Sequence, residues 1–148
     1  MNKVIRIINI FLLVLLFSCN TNGNPITFHK SHESSRQNVP FSDVVETESL
    51  MFLTGQVGKD HKKGVLVDGG IKAETKQVIE NIEAVLQHHN LKLDNVIKCT
   101  VILKDINDFD AFNAVYVQYF TKKPARTTFA ASGLAGNASI EIDVIAAK

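Results

Sequence analysis

Apolar positions along this chain change period several times, and each change marks an element. Between Val45 and Gly58 the run Leu50-Met51-Phe52-Leu53-Thr54-Gly55-Gln56-Val57 reads as a strand, with a polar loop through His61, Lys62, Lys63 and Gly64 behind it. From about Ala73 the period becomes helical: Val78, Ile82, Val85 and Leu86 form one stripe, while Glu74, Lys76, Glu80, Glu83 and Gln87 face away. Period two returns at Val96 to Lys104, with Ile97, Cys99, Val101 and Leu103 on one face and Lys98, Thr100, Ile102 and Lys104 on the other. A second amphipathic helix follows Asn107, which is placed to cap it, and carries the stripe Phe109, Phe112, Tyr116 and Phe120 until Pro124 closes it. Strands at Arg126 to Ala130 and Ser139 to Ala147 complete the chain.

That order predicts an α+β domain with two helices on one face of a sheet. In the last strand Ile140, Ile142, Val144 and Ala146 point one way and Glu141, Asp143, Ile145 and Ala147 the other. Ile102 is apolar on the outer face of its strand, and Leu50 to Val57 is apolar on both. Two helices cannot cover both faces, so the pattern predicts burial against further copies of the chain; the competing reading is a monomer with a partly apolar face.

The N-terminus carries an address rather than fold. Lys3 and Arg6 precede an apolar run from Ile7 to Phe17, shorter than the roughly 20 residues a membrane helix needs, and Ser18-Cys19 follows. With Leu16 three places before the cysteine, this resembles a bacterial lipobox: a signal peptide over 1–18, acylation at Cys19, and a tether over 19–25. An uncleaved anchor helix is the alternative; both hold the domain at a membrane, which predicts a cell-envelope location. Polar composition continues to about Asn38, interrupted by a candidate edge strand at Ile26 to Phe28.

Charge excludes more than it suggests. Lys and Arg number 16 against 15 Asp and Glu, and the Lys62-Lys63 and Lys122-Lys123 pairs stand apart, so no basic stripe offers itself to nucleic acid. Once Cys19 is acylated, Cys99 has no disulfide partner; on an apolar face it reads as a packing residue. No metal constellation is expected, because His88 and His89 are adjacent on a helix and diverge, while His29 and His32 fall in the polar N-terminal stretch.

Several strings, in order and spacing, are similar to one family. They are Leu53-Thr54-Gly55-Gln56-Val57, Asn81 to Leu86, Val96 to Val101, Pro124-Ala125-Arg126-Thr127-Thr128 and Ile140 to Ala146. Together they resemble the RidA family, also called YjgF or L-PSP endoribonuclease, over 26–148. The resemblance implies a single chorismate-mutase-like domain of the bacillus type, a homotrimer with its sheets forming a central barrel, and clefts between neighbouring subunits. It also implies cofactor-free hydrolysis of 2-enamine and 2-imine intermediates, such as 2-aminoacrylate, to 2-keto acids and ammonia.

On that resemblance Arg126 holds the substrate carboxylate and Glu141 positions water. The residue types suit the tasks: guanidinium is a planar fork that pairs bidentately with carboxylate, and a carboxylate can take a proton from water. Gly55 matches the glycine whose backbone lies against the ligand, and Asn113 matches a helix asparagine that also reads as a surface or interface residue. Thr128 replaces a common cysteine, and Phe41 replaces a tyrosine, removing a phenol from the site. Against catalysis stands an architectural reading in which Arg126 and Glu141 form an ion pair, or Glu141 is merely solvated. A trimeric module that binds small carboxylates without turning them over is the second functional reading, and a nuclease the third; without a basic stripe or stacking platform the nuclease is the weakest.

Overall fold

The computed structural model describes residues 25–148. The expected signal peptide, Cys19 and the tether as far as residue 24 lie outside the described residues. No helix among the described residues is long and apolar enough to cross a membrane.

Eight strands and two α-helices make up the domain: β1 Thr27–His29, β2 Val44–Glu46, β3 Leu50–Val57, β4 Lys59–Asp60, β5 Val65–Leu66, α1 Gly70–His88, β6 Val96–Leu103, α2 Phe109–Tyr119, β7 Ala125–Ala130 and β8 Ile140–Ala147. Six strands form one mixed sheet in the order β1-β2-β3-β8-β6-β7, and β4 and β5 form a separate hairpin. Among the described residues only β6 and β7 pair in parallel, and α2 is the crossover such a pair requires. The α+β class and the two helices on one face are as expected.

Period explains most of the packing. Val78, Ile79, Ile82, Val85 and Leu86 of α1, with Phe112 and Tyr116 of α2, bury against Cys99, Val101, Leu103, Ile140, Ile142 and Val144 of the central strands. Each large apolar side chain removed from water there contributes on the order of 2 kcal/mol. Among the described residues no helix covers the other sheet face. Phe52 and Phe129 remain 40% and 45% exposed on it. Register places them beside Ile145 and Ile102, giving the apolar outer face the alternation foretold.

Five local details extend or correct the sequence reading. First, Leu50–Val57 is the strand expected, but a separate strand precedes it: Thr47 accepts from the Leu50 amide at 3.2 Å through its hydroxyl, turning β2 back onto β3. Second, the polar loop through His61 is present as expected and is bracketed by the short hairpin β4–β5, whose two-residue strands are too brief to show a period. Third, Ile97 is exposed and Val96 buried, because the β6–β8 register shifts between Val96 and Lys98 and re-phases the strand end. Fourth, Asp105 rather than Asn107 does the capping; its carboxylate accepts from the Asn107 amide at 2.9 Å in a 3₁₀ turn over Ile106–Asp108 that leads into α2.

Fifth, Glu74 faces inward. Its two carboxylate oxygens accept from the Ser139 amide at 2.8 Å and the Ser139 hydroxyl at 2.6 Å, fastening α1 to the start of β8. Gly58 allows the close approach, since a Cβ there would lie 2.6 Å from Glu74 Cβ. Asn81, also buried in α1, donates to the Val57 and Lys59 carbonyls at 3.1 and 2.9 Å. Replacing Glu74 with Ala leaves the Ser139 amide without its charged acceptor, and is expected to cost about 2 kcal/mol. Thermal unfolding of Glu74→Ala checks this, with Glu74→Gln recovering part of the loss.

The polar stretch before Asn38 belongs to the fold as well. β1 pairs with β2, Arg36 forms a 2.9 Å ion pair with buried Asp43 and donates to Gln56 Oε1, and His29 and His32 meet the end of α1.

Candidate active site

Register puts the two principal candidates on opposite faces of the sheet. Arg126 pairs with Cys99, so its side chain rises on the helix-covered face; Glu141 pairs with Ile102 and Val57 and points to the open one. An Arg126–Glu141 ion pair within one chain is thereby excluded.

The Arg126 side is an aromatic platform. Its guanidinium carbon lies 4.7 Å from the Tyr116 ring centroid, 5.0 Å from Phe112 and 5.7 Å from Phe109. The helical spacing of those rings aligns them along one stripe of α2 and surrounds the cation with aromatic surface. Behind it the Tyr116 hydroxyl donates to Cys99 Sγ at 3.3 Å. Burial pushes the Cys99 thiol up to about 11, against the pull of that hydrogen bond, so the sulfur is no nucleophile. Burial likewise raises the Tyr116 phenol. Asn113 joins Arg126 in lining a cleft of about 380 Å³. Thr128 lies two residues further along β7 on the same face, and its buried hydroxyl oxygen has no hydrogen-bond partner.

Glu141 lines a separate cleft of about 420 Å³ with Gly55, Phe41, Arg36, Lys59 and His61. The β3–β8 register slips between Leu53 and Gln56, and this irregularity brings the Gly55 backbone over the carboxylate. A Cβ at Gly55 would stand 2.1 Å from Glu141 Oε1. The glycine therefore makes room for the carboxylate, a local role beside the one expected toward a ligand. Phe41 is half exposed with the Arg36 guanidinium 5.9 Å from its ring centroid, and His61 Nε2 is buried without a partner.

Burial raises the Glu141 pKa, and the charge of Asp143 adds to the rise. Burial raises Asp143 too, opposed by a hydrogen bond from Thr100. The folded chain thus retains protons that the unfolded chain releases above ordinary values of 4.5 and 3.8, and these groups make stability fall as pH rises through that window. Asp143→Asn is expected to flatten this slope in denaturant titrations at several pH values. It also lowers the Glu141 pKa, moving the acid limb of any Glu141-dependent activity to lower pH.

Sequence reasoning missed Arg36, Lys59 and His61 in the Glu141 cleft. Arg36 lay in a stretch with no period, and only the lone arginine among Ser and Asn offered a signal. Of the candidates it did name, the structure gathers Arg126, Asn113 and Thr128 on one face and Glu141, Gly55 and Phe41 on the other.

The fold and its clefts define a class of α+β domain in which one mixed sheet, backed by two helices, carries a cleft with charged lining on each side. Comparison with known proteins makes the assignment specific. The chain belongs to the Endoribonuclease L-PSP family, the RidA/YjgF proteins, whose sequence profile matches residues 33–148. A RutC family protein of Pyrococcus horikoshii is 44% identical over 110 residues, 74% of this chain and 87% of that one. The human 2-iminobutanoate/2-iminopropanoate deaminase is 38% identical over 108 residues, 72% of this chain and 79% of its own. The crystal structure of the YjgF gene product of E. coli superposes with a TM-score of 0.76 at 27% identity, covering 82% of this chain and 98% of that one.

Proposed function

We propose that this protein hydrolyses small 2-imino acids and their enamine tautomers to 2-keto acids and ammonia. The observation that carries the reading is the division of labour between Arg126, a permanent cation held beside three aromatic rings, and Glu141, a carboxylate whose pKa burial raises. A deaminase among relatives at 38% identity supports the reaction class.

The chemistry follows from the groups. Arg126 pairs with the substrate carboxylate through its fork and leaves the adjacent C=N carbon in a defined place. Glu141 takes a proton from water as the oxygen bonds to that carbon and the C=N π pair moves onto nitrogen. The same proton passes to nitrogen to give the carbinolamine; the hydroxyl proton then moves through Glu141 to that amine as the C–N bond breaks and the C=O forms, releasing ammonia and the keto acid. No step in this sequence calls on a cofactor. Asn113 sits beside Arg126, Phe41 supplies apolar surface where a phenol is missing, and Thr128 presents a hydroxyl.

Since Arg126 and Glu141 lie on opposite sheet faces, a site using both needs two copies. A homotrimer places the face bearing Phe52 and Phe129 against its counterparts and opens three shared clefts. Acylation at Cys19 would hold this assembly at the cell envelope. Mixed assembly tests the whole reading. Arg126→Ala and Glu141→Gln chains, each silent alone, are refolded together and assayed for keto-acid release from imines made in situ by an amino-acid oxidase. Random mixing at equal amounts regenerates about a quarter of the intact clefts. Continued silence of the mixture, with wild type refolded in parallel active, would show that the two groups do not combine across copies.

A further inference from the structure

Four of the five histidines of the chain meet at one place outside the Arg126 and Glu141 clefts. His29 ends β1, His32 follows it, and His88 and His89 close α1. Ring centroids are 4.7 Å apart for His29 and His89, 5.3 Å for His88 and His89, and 5.0 Å for His32 and His88. Adjacent residues at a helix end were expected to diverge. Beyond the last turn they instead flank the N-terminal arm, and each takes one of its histidines.

Those separations carry the argument. Two imidazoles sharing one tetrahedral zinc ion through Zn–N bonds of about 2.1 Å have ring centroids about 5 Å apart, the spacing of the steeply inclined His29/His89 and His88/His89 pairs, while His32 stacks nearly parallel on His88. Glu46 adds a second observation: its Oε2 lies 2.7 Å from His29 Nε2, leaving Nδ1 as the free nitrogen. A carboxylate on the far nitrogen is how metal-binding histidines are oriented and made better donors. Glu33 stands 3.5 Å from His32 Nε2, a looser contact without a hydrogen bond.

We propose that His29, His88 and His89, with His32 at the margin, form a surface site for one divalent late transition metal ion of the zinc class. As the rings now stand, no three ligating groups among the described residues already converge on a single point. Ring rotations supply the convergence, and partly exposed side chains at a strand end and a helix end can make them. Imidazole donors without thiolate select zinc, nickel or copper(II) over magnesium and calcium, which need oxygen cages. The bound ion would clamp the N-terminal arm, whose continuation contributes Arg36 to the Glu141 cleft, onto α1.

The test uses the full-length protein, stripped with chelator and titrated with zinc chloride by calorimetry, with thermal unfolding in parallel. One ion per chain and a raised Tm are expected, since the ion binds the folded state. Both should be lost in the His88→Ala/His89→Ala double variant and kept in His61→Ala. Glu46→Gln should weaken binding about tenfold without changing stoichiometry, a response that ring stacking alone would not give. Absence of saturable binding would overturn the proposal. So would stoichiometry and Tm shift surviving the double variant, or an equal shift with magnesium.

Discussion

Replacing Arg126 with Ala is expected to lower kcat/KM for imine hydrolysis by on the order of a hundredfold or more, with little change in stability. The size of the kinetic effect follows from the loss of a bidentate charge-assisted pair, worth about 3 kcal/mol where it is shielded from water. The small stability effect follows from the surroundings. Each exposed cation–π contact contributes only about 0.5–1 kcal/mol, and Phe112 and Tyr116 stay buried against the sheet without the guanidinium. Arg126→Lys separates fork from charge. Lysine keeps the positive end but lacks the planar fork that binds both carboxylate oxygens, so most of the loss should persist. Keto-acid release measured over a range of imine supply, beside urea denaturation of the same variants, checks both parts. Recovery of full activity in Arg126→Lys would show that charge alone suffices.

Gly55→Ala is the second large effect, and it acts through another residue. The added Cβ would fall 2.1 Å from Glu141 Oε1 and 2.9 Å from its Cδ. The obstacle is the mobile end of a side chain rather than backbone, so the protein folds and Glu141 swings aside. Displacement of a reacting group by an ångström or more can cost about a hundredfold in rate. The expected outcome is a folded Gly55→Ala protein with its rate reduced nearly as far as in Glu141→Gln, and a crystal structure with the carboxylate rotated away. A fully active variant would mean that the present Glu141 position is not the productive one.

Long periodic segments were readable because burial imposes their period. The helix stripe from Val78 to Leu86 and the alternation from Ile140 to Ala147 each expose one face to water and one to the core, and the structure keeps both. What stayed illegible breaks period for a reason that lies elsewhere in space. Glu74 looks like a solvated helix position until the Ser139 amide and hydroxyl arrive to satisfy it. Ile97 leaves its face because a register shift moves it. Arg36 becomes part of a cleft only when buried Asp43 and Gln56 hold it there. The site was half legible: Arg126 and Glu141 stood in recognisable strings, but their opposition across the sheet depends on β7 joining β6 in parallel, a pairing no local pattern encodes.

The slipped register of β3 governs where this chain can change length. A strand presents alternate residues to alternate faces, so a shift of one position reverses everything beyond it. Deleting a residue between Leu53 and Gln56 would turn Gln56 out of its place beneath Arg36 and withdraw Gly55 from Glu141. Deletions and insertions there disrupt the core and the Glu141 cleft together. The turn at Lys62–Gly64 bears no such burden: its residues are exposed and nothing packs within 4 Å of where a Gly64 side chain would be. Tags, fused peptides and natural insertions should be accepted at that turn and rejected a few residues upstream.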